Sequence, residues 1–225
     1  MKQSECYLKK NCNHIDCDKF CMRFYKTDKF FDLALFSDEQ RKPKKLFIDK
    51  DGSDRDVFRF LKNICDNVEE FVSDGHNLYI HSMICGNGKT EWALKIVQSY
   101  INKIWFKSDL SCPALFISVP RFLLALKDNL SVKSEYVEYI KHNIYNCPIV
   151  IWDDIGTKAV TSFESENLFS IIDNRISNNK ANIFTSNLSD DELHKFLGDR
   201  LASRICNKDM NIEFVGADKR GLDHD

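Results

Sequence analysis

A glycine-rich turn between an apolar strand and an apolar helix constrains this chain more than any other feature. The segment is His81-Ser82-Met83-Ile84-Cys85-Gly86-Asn87-Gly88-Lys89-Thr90; Leu78-Tyr79-Ile80 precedes it and a helix from Thr90 to Trp105 follows. Such a turn offers free backbone N–H groups and the positive end of the helix dipole, a seat for phosphate. Glycines let the backbone curl around the anion without a Cβ clash. Gly86, Asn87, Gly88, Lys89 and Thr90 are the expected nucleotide contacts. Lys89 is placed to reach the β- and γ-phosphates, and the Thr90 hydroxyl to bind Mg²⁺. The full motif has glycine at position 83, where this chain has Met83. The expectation is a slightly altered loop that keeps its site.

The surrounding pattern alternates helix and strand. Helical spacing of apolar residues runs from Asp56 to Val72, and Ala114 to Val119 reads as a buried strand. Pro120 opens a helix, where its missing N–H is harmless. Ser134 to Asn143 and Phe163 to Ser177 read as helices, Ile149 to Trp152 and Asn182 to Ser186 as strands, and Asp190 to Leu197 as a short helix. This order predicts an α/β fold with a parallel sheet flanked by helices on both faces.

Ile149-Val150-Ile151-Trp152 ends in Asp153-Asp154. The carboxyl end of a parallel strand faces the ligand crevice. Asp153 is expected in the Mg²⁺ shell; Asp154, on the opposite side by strand alternation, is expected to orient the attacking water. The competing reading is an Asp-rich turn. Asn187, ending the next strand, is expected to sense the γ-phosphate; its alternative is a helix cap. Arg200 and Arg204 share a helix face. Arg204 is the candidate to reach a neighbour's γ-phosphate, against a solvated face paired with Asp199 or Glu192.

Together these residues resemble the DnaC/DnaI type of replicative-helicase loader. The resemblance runs from about Asn77 to Arg220. It rests on Gly86 to Thr90, Ile151 to Gly156, Leu168-Phe169 with Ile171 to Arg175, Ile183 to Leu188, Arg200 to Ile205 and Gly216 to Arg220. It implies an AAA+ P-loop NTPase core without a large helical lid. It implies ATP and Mg²⁺ as cofactors, weak partner-gated ATP hydrolysis, and loading of a hexameric replicative DNA helicase onto single-stranded DNA. By the same resemblance Lys89, Asp153, Asp154, Asn187 and Arg204 form the catalytic set, and Arg220 is a late nucleotide or interface contact. Such proteins act as homo-oligomers when ATP-bound, each arginine finger completing its neighbour's site. The alternatives are a transposition-regulating ATPase of the IstB-like kind, and a nucleotide-binding adaptor that sequesters a helicase.

Four of nine cysteines fall in the first 21 residues, as Cys6, Cys12, Cys17 and Cys21. In a reducing compartment such clusters bind metal more often than they form disulfides. Four thiolates can close a tetrahedral Zn²⁺ site. The alternative is a reduced, unliganded cluster. Residues 1–30 are therefore expected to be a small zinc-binding module, resembling the helicase-contacting end of DnaI-like loaders. Residues 31–54 are expected to be a linker and 55–225 the ATPase domain. The other five cysteines are expected to be small buried hydrophobes. No apolar run is long enough to span a membrane, and the first residues lack a secretion signal, so a cytoplasmic protein is expected. A net charge of -2 puts any nucleic-acid contact on a local patch rather than on the whole surface.

Overall fold

In the computed structural model the described residues are Cys6, Leu8, Cys12 and 21–42, 44–47, 52–107, 109–206 and 210–219. Five strands form one sheet: β1 Asn77–His81, β2 Ala114–Ser118, β3 Ile149–Asp153, β4 Ala181–Ser186 and β5 Asn211–Glu213. Their order is β2-β3-β4-β1-β5, and every pairing is parallel. Parallel neighbours need crossovers, and helices supply them.

Strand alternation sorts the core into two halves. Leu78, Ile80, Ile149, Ile151 and Ile183 face one side. Helices α1 Met22–Leu33, α3 Arg55–Asp66, α4 Val68–Ser73 and α5 Lys89–Ile104 cover that side. Tyr79, Leu115, Ile117, Val150, Trp152 and Phe184 face the other. There α6 Val119–Asp128, α7 Glu135–Asn143, α8 Ser162–Ser177, α9 Asp190–Leu197 and α10 Asp199–Ile205 cover them. Burying each such side chain contributes about 1.5–3 kcal/mol. In α5, the rows Trp92-Ile96-Tyr100-Ile104 and Ala93-Val97-Ile101 are all buried. Their spacing by four keeps them on one stripe of the helix.

The sequence-based elements hold with small shifts at their ends, and four differences have physical causes. The long helix expected over 56–72 breaks at Asn67, which ends α3 and starts α4. Val119 belongs to α6 rather than to the preceding strand, with Pro120 in that helix's first turn. Strand β5 was not expected; three residues are too few for a periodic signal, and pairing with β1 creates it. Helix α1 crosses the expected boundary at residue 30. Phe30, Phe31, Ala34 and Phe36 are buried in the main core. The Phe116 N–H donates to the Ala34 carbonyl at 2.9 Å, and the Tyr139 hydroxyl to that of Leu33 at 2.7 Å. The segment expected as a linker thus also covers the open edge of β2, and α2 Asp38–Arg41 lies within it.

Below the sheet, Arg175 is fully buried among described residues that offer it no carboxylate. Its guanidinium donates to the carbonyls of Ile144, Cys147 and Ala181 and to Asn182 Oδ1. Ile144 and Cys147 follow α7, so a cation meets the negative end of that helix. Asn182 also accepts from the Trp152 indole at 3.1 Å and donates to Asn77 Oδ1 at 2.7 Å. One satisfied polar network thereby ties β1, β3 and β4 to α8.

Candidate functional site

Gly88 immediately precedes α5 at φ 102, in the left-handed region. A Cβ there would meet nothing within 4 Å, so backbone conformation rather than space calls for glycine. Met83 is not among the positive-φ residues and is 67% exposed. Position 83 therefore accepts a side chain, which explains how the loop forms without its first glycine. The loop is braced from within: Asn87 Nδ2 donates to Ser82 Oγ at 2.6 Å. The buried Lys89 ammonium donates to the Ile84 carbonyl at 3.0 Å and to Asn87 Oδ1 at 3.3 Å.

Asp153 meets this loop. It shares a sheet face with Ile149 and Ile151, the side on which α5 lies. The Thr90 hydroxyl donates to Asp153 Oδ1 at 2.8 Å, and the Thr185 hydroxyl donates to the same oxygen at 2.7 Å. Burial pushes the Asp153 carboxyl up to about 6; the two hydroxyls pull it down, while the charges of Asp154 and Glu91 push it further up. A hydroxyl and a desolvated carboxylate side by side are a hard-oxygen donor pair that fits Mg²⁺.

The chain leaves β3 at once. Asp154 has φ 57, and its N–H donates to Thr185 Oγ1 at 3.0 Å. Strand alternation was therefore the wrong argument for Asp154. It is a turn residue, and it lines the same cleft as the loop. That cleft, about 370 Å³, is lined by residues 85–91 with Asp154 and Asn187. Asn187 does not cap α9; Ser189 does, in a capping box with Glu192.

Thr185, which bonds the Asp153 side chain and the Asp154 N–H, was missed from sequence. Its signal was a pair of polar residues, Thr185 and Ser186, ending a buried strand.

The arginines lie elsewhere. Arg204 pairs with Asp173 of α8 at 2.8 Å, and Arg200 sits over the Phe169 ring at 4.1 Å. Neither lines the cleft, and neither pairs with Asp199 or Glu192 as the solvated-face reading had it; Asp199 pairs with His194. Arg220 and Cys17 lie outside the described residues. Cys6, Cys12 and Cys21 are half-buried free thiols. Among the described residues no group of three or more His, Cys, Asp or Glu is gathered to hold a metal ion. Cys65, Cys112 and Cys147 are buried as expected, whereas Cys85 is exposed in the phosphate loop and Cys206 is half-buried. Among the described residues no helix is long and apolar enough to cross a membrane.

Fold and cleft together define an α/β domain with a glycine-rich loop and a crevice at the carboxyl ends of its parallel strands. No protein-family model matches the chain. It is 26% identical over 150 residues to the replicative helicase loader DnaI of Bacillus subtilis (strain 168), covering 65% of this chain and 45% of that protein. It is 27% identical over 139 residues to the replicative helicase loader DnaC of Escherichia coli (strain K12), covering 61% and 53%. The chain thus spans about half the length of these curated relatives. Among solved structures, the DnaC helicase loader superposes with a TM-score of 0.60 at 19% identity, over 79% of this chain and 98% of that one. DnaI superposes with a TM-score of 0.61 at 21% identity, over 82% and 94%. The replication initiator DnaA bound to AMPPCP and single-stranded DNA superposes with a TM-score of 0.56 at 19% identity, over 75% and 48%. The chain shares its fold with these neighbours, and the resemblance to DnaC/DnaI-type loaders holds in sequence as well as in structure.

Proposed function

We propose that this chain is an ATP-dependent loader that places a hexameric replicative DNA helicase onto single-stranded DNA. The observation that carries the reading is the hydrogen bond from Thr90, which lines the cleft with the loop, Asp154 and Asn187, to Asp153. The names of the sequence relatives, replicative helicase loaders, support the biological half.

In this reading Gly86, Asn87 and Gly88 offer main-chain donors to the phosphates and Lys89 adds the charge. Thr90 and Asp153 would hold Mg²⁺, which when bound neutralises charge between the β- and γ-phosphates. Asp154 orients a water toward the γ-phosphate, and Asn187 contacts both. The short arm of aspartate at 154 makes intrinsic turnover slow. Arg204 leaves Asp173 to serve the site of a neighbouring copy, so the active form is a homo-oligomer. Arg220 is a further nucleotide or interface contact. Spacing supports a structural Zn²⁺ held by Cys6, Cys12, Cys17 and Cys21, in a module that touches the helicase.

The test is co-purification of the chain with its cognate helicase, with and without ATP, beside Lys89→Ala. Capture that needs ATP and is lost in Lys89→Ala is expected. ATP turnover unchanged by Lys89→Ala would discard the mechanism.

A further inference from the structure

We propose that Asp54 is a positioning residue for the nucleotide cleft, acting through a C-terminal segment fastened to the phosphate loop. The proposal rests on the ATP reading above. Asp54 stands at the N-cap of α3, where an aspartate ordinarily accepts a helix N–H, yet its side chain makes no capping bond. It is 2% exposed and turned to a different partner. Its Oδ1 accepts the Val215 N–H and its Oδ2 the Gly216 N–H, both at 3.0 Å. Both carboxylate oxygens thus grip two successive amides 161 and 162 residues away in the chain.

The segment held in this way runs along the phosphate loop. The Phe214 N–H donates to the carbonyl of His81, the last residue of β1, at 2.9 Å. Further on, the Lys219 N–H donates to the Gly86 carbonyl at 2.9 Å, and the Lys219 ammonium to the Phe47 carbonyl at 3.0 Å. The segment is therefore tied to the start of the loop, to Asp54, and to the loop's crest. Phe214 anchors it in the core, but Val215 is 57% exposed, so main-chain bonds hold the part that matters. Gly86 and Gly88 both sit at positive φ, in a stretch whose glycines give it wide conformational freedom. A fixed acceptor bond on Gly86 narrows that freedom before nucleotide arrives. Preorganisation of this kind raises affinity by lowering the ordering cost of binding. Asp54 does not line the cleft, so it works at one remove.

The test uses the full chain, a fluorescent ATP analogue and hydrogen exchange. Asp54→Asn keeps the shape and gives up one charged acceptor; about tenfold weaker analogue binding is expected. Exchange of the amides at 82–88 should quicken while those of β3 stay as slow as in the wild type. Lys219→Pro removes the N–H that reaches Gly86 and leaves Asp54 in place; it should weaken binding to a similar degree. Because both changes act through one bond on Gly86, the double variant should be no weaker than the worse single variant. Asp54→Asn binding as tightly as wild type, additive losses, or faster exchange spread through β3 would each overturn the proposal. Should Asp54→Asn fail to fold, wild-type affinity in Lys219→Pro overturns it alone. A wild-type chain that binds no analogue overturns the ATP reading instead, and exchange at 82–88 then decides separately whether Asp54 holds the loop.

Discussion

The Thr90 hydroxyl donates to Asp153 Oδ1 at 2.8 Å, joining the first turn of α5 to the end of β3. Both groups are the expected Mg²⁺ ligands, so removing the hydroxyl should damage metal use more than folding. Thr90→Ala is expected to lower Mg²⁺-dependent ATP turnover by roughly 10- to 100-fold, the range seen when groups that order a metal site are lost. Turnover assayed across Mg²⁺ concentrations, with chelator as the zero point, checks this.

Arg204 allows stability and catalysis to be separated. Its partner Asp173 is partly exposed, and Arg204 itself is 48% exposed. Surface pairs of this kind are worth about 0–1 kcal/mol. Arg204→Ala should therefore leave urea denaturation almost unchanged. An arginine acting on a neighbour's γ-phosphate is worth about 10³-fold or more in turnover. Mixing Arg204→Ala with Lys89→Ala should restore part of the activity, because each supplies what the other lacks. No recovery at any mixing ratio would remove Arg204 from that role.

Arg175 should behave in the opposite way. Truncating it strands the buried carbonyls of Ile144, Cys147 and Ala181, each worth about 1–3 kcal/mol when left unpaired. Arg175→Ala is expected to lose at least about 3 kcal/mol in chemical denaturation. Arg175→Lys, with one nitrogen in place of a fork, should recover only part of that loss.

The start of α8 gives the chain a pH-dependent contribution. The Thr161 N–H donates to Glu164 Oε2 at 2.8 Å and its hydroxyl to the same oxygen at 2.9 Å. The Thr161 N–H does most to hold the Glu164 carboxyl below its ordinary value of 4.5; burial opposes it, and the Thr161 hydroxyl and Lys158 add to it. Because the folded value is the lower one, this stabilisation is present in full above pH 4.5 and fades as pH falls through the folded value. Thr161→Ala should cost about 1 kcal/mol near neutral pH. Melting of Glu164→Gln beside wild type should show a gap at pH 7 that closes in acid.

Met83→Gly tests the unusual loop. Since Met83 does not occupy a left-handed conformation, restoring glycine there should change ATP affinity by less than about threefold, a difference under 1 kcal/mol. Titration with a fluorescent nucleotide measures it.

The central strands and the phosphate loop were legible because their signals are local. Leu78-Tyr79-Ile80 and Ile149 to Trp152 are apolar on both faces, as buried parallel strands must be. Gly88-Lys89-Thr90 carries its own conformational demand. What escaped the sequence depends on contacts distant in the chain. Arg175 looked like one residue of an amphipathic helix until β4 and the end of α7 surrounded it. Asp54 looked like the last residue of a linker until Val215 and Gly216 arrived beside it. Phe30 and Phe31 fell on either side of a boundary drawn by composition, although one helix carries both into one core. Asp154 was set on the side opposite Asp153 by an alternation that ends one residue before it.

Thr185 gives the acidic strand end a mechanical property. A single oxygen on β4 donates to the Asp153 carboxylate and accepts the Asp154 amide. The two aspartates are therefore hinged on a third residue belonging to the strand whose next turn carries Asn187. Asn187 stands two residues beyond this brace and lines the cleft, so under the proposed function the residue that meets the terminal phosphate and the acidic pair hang from the end of one strand.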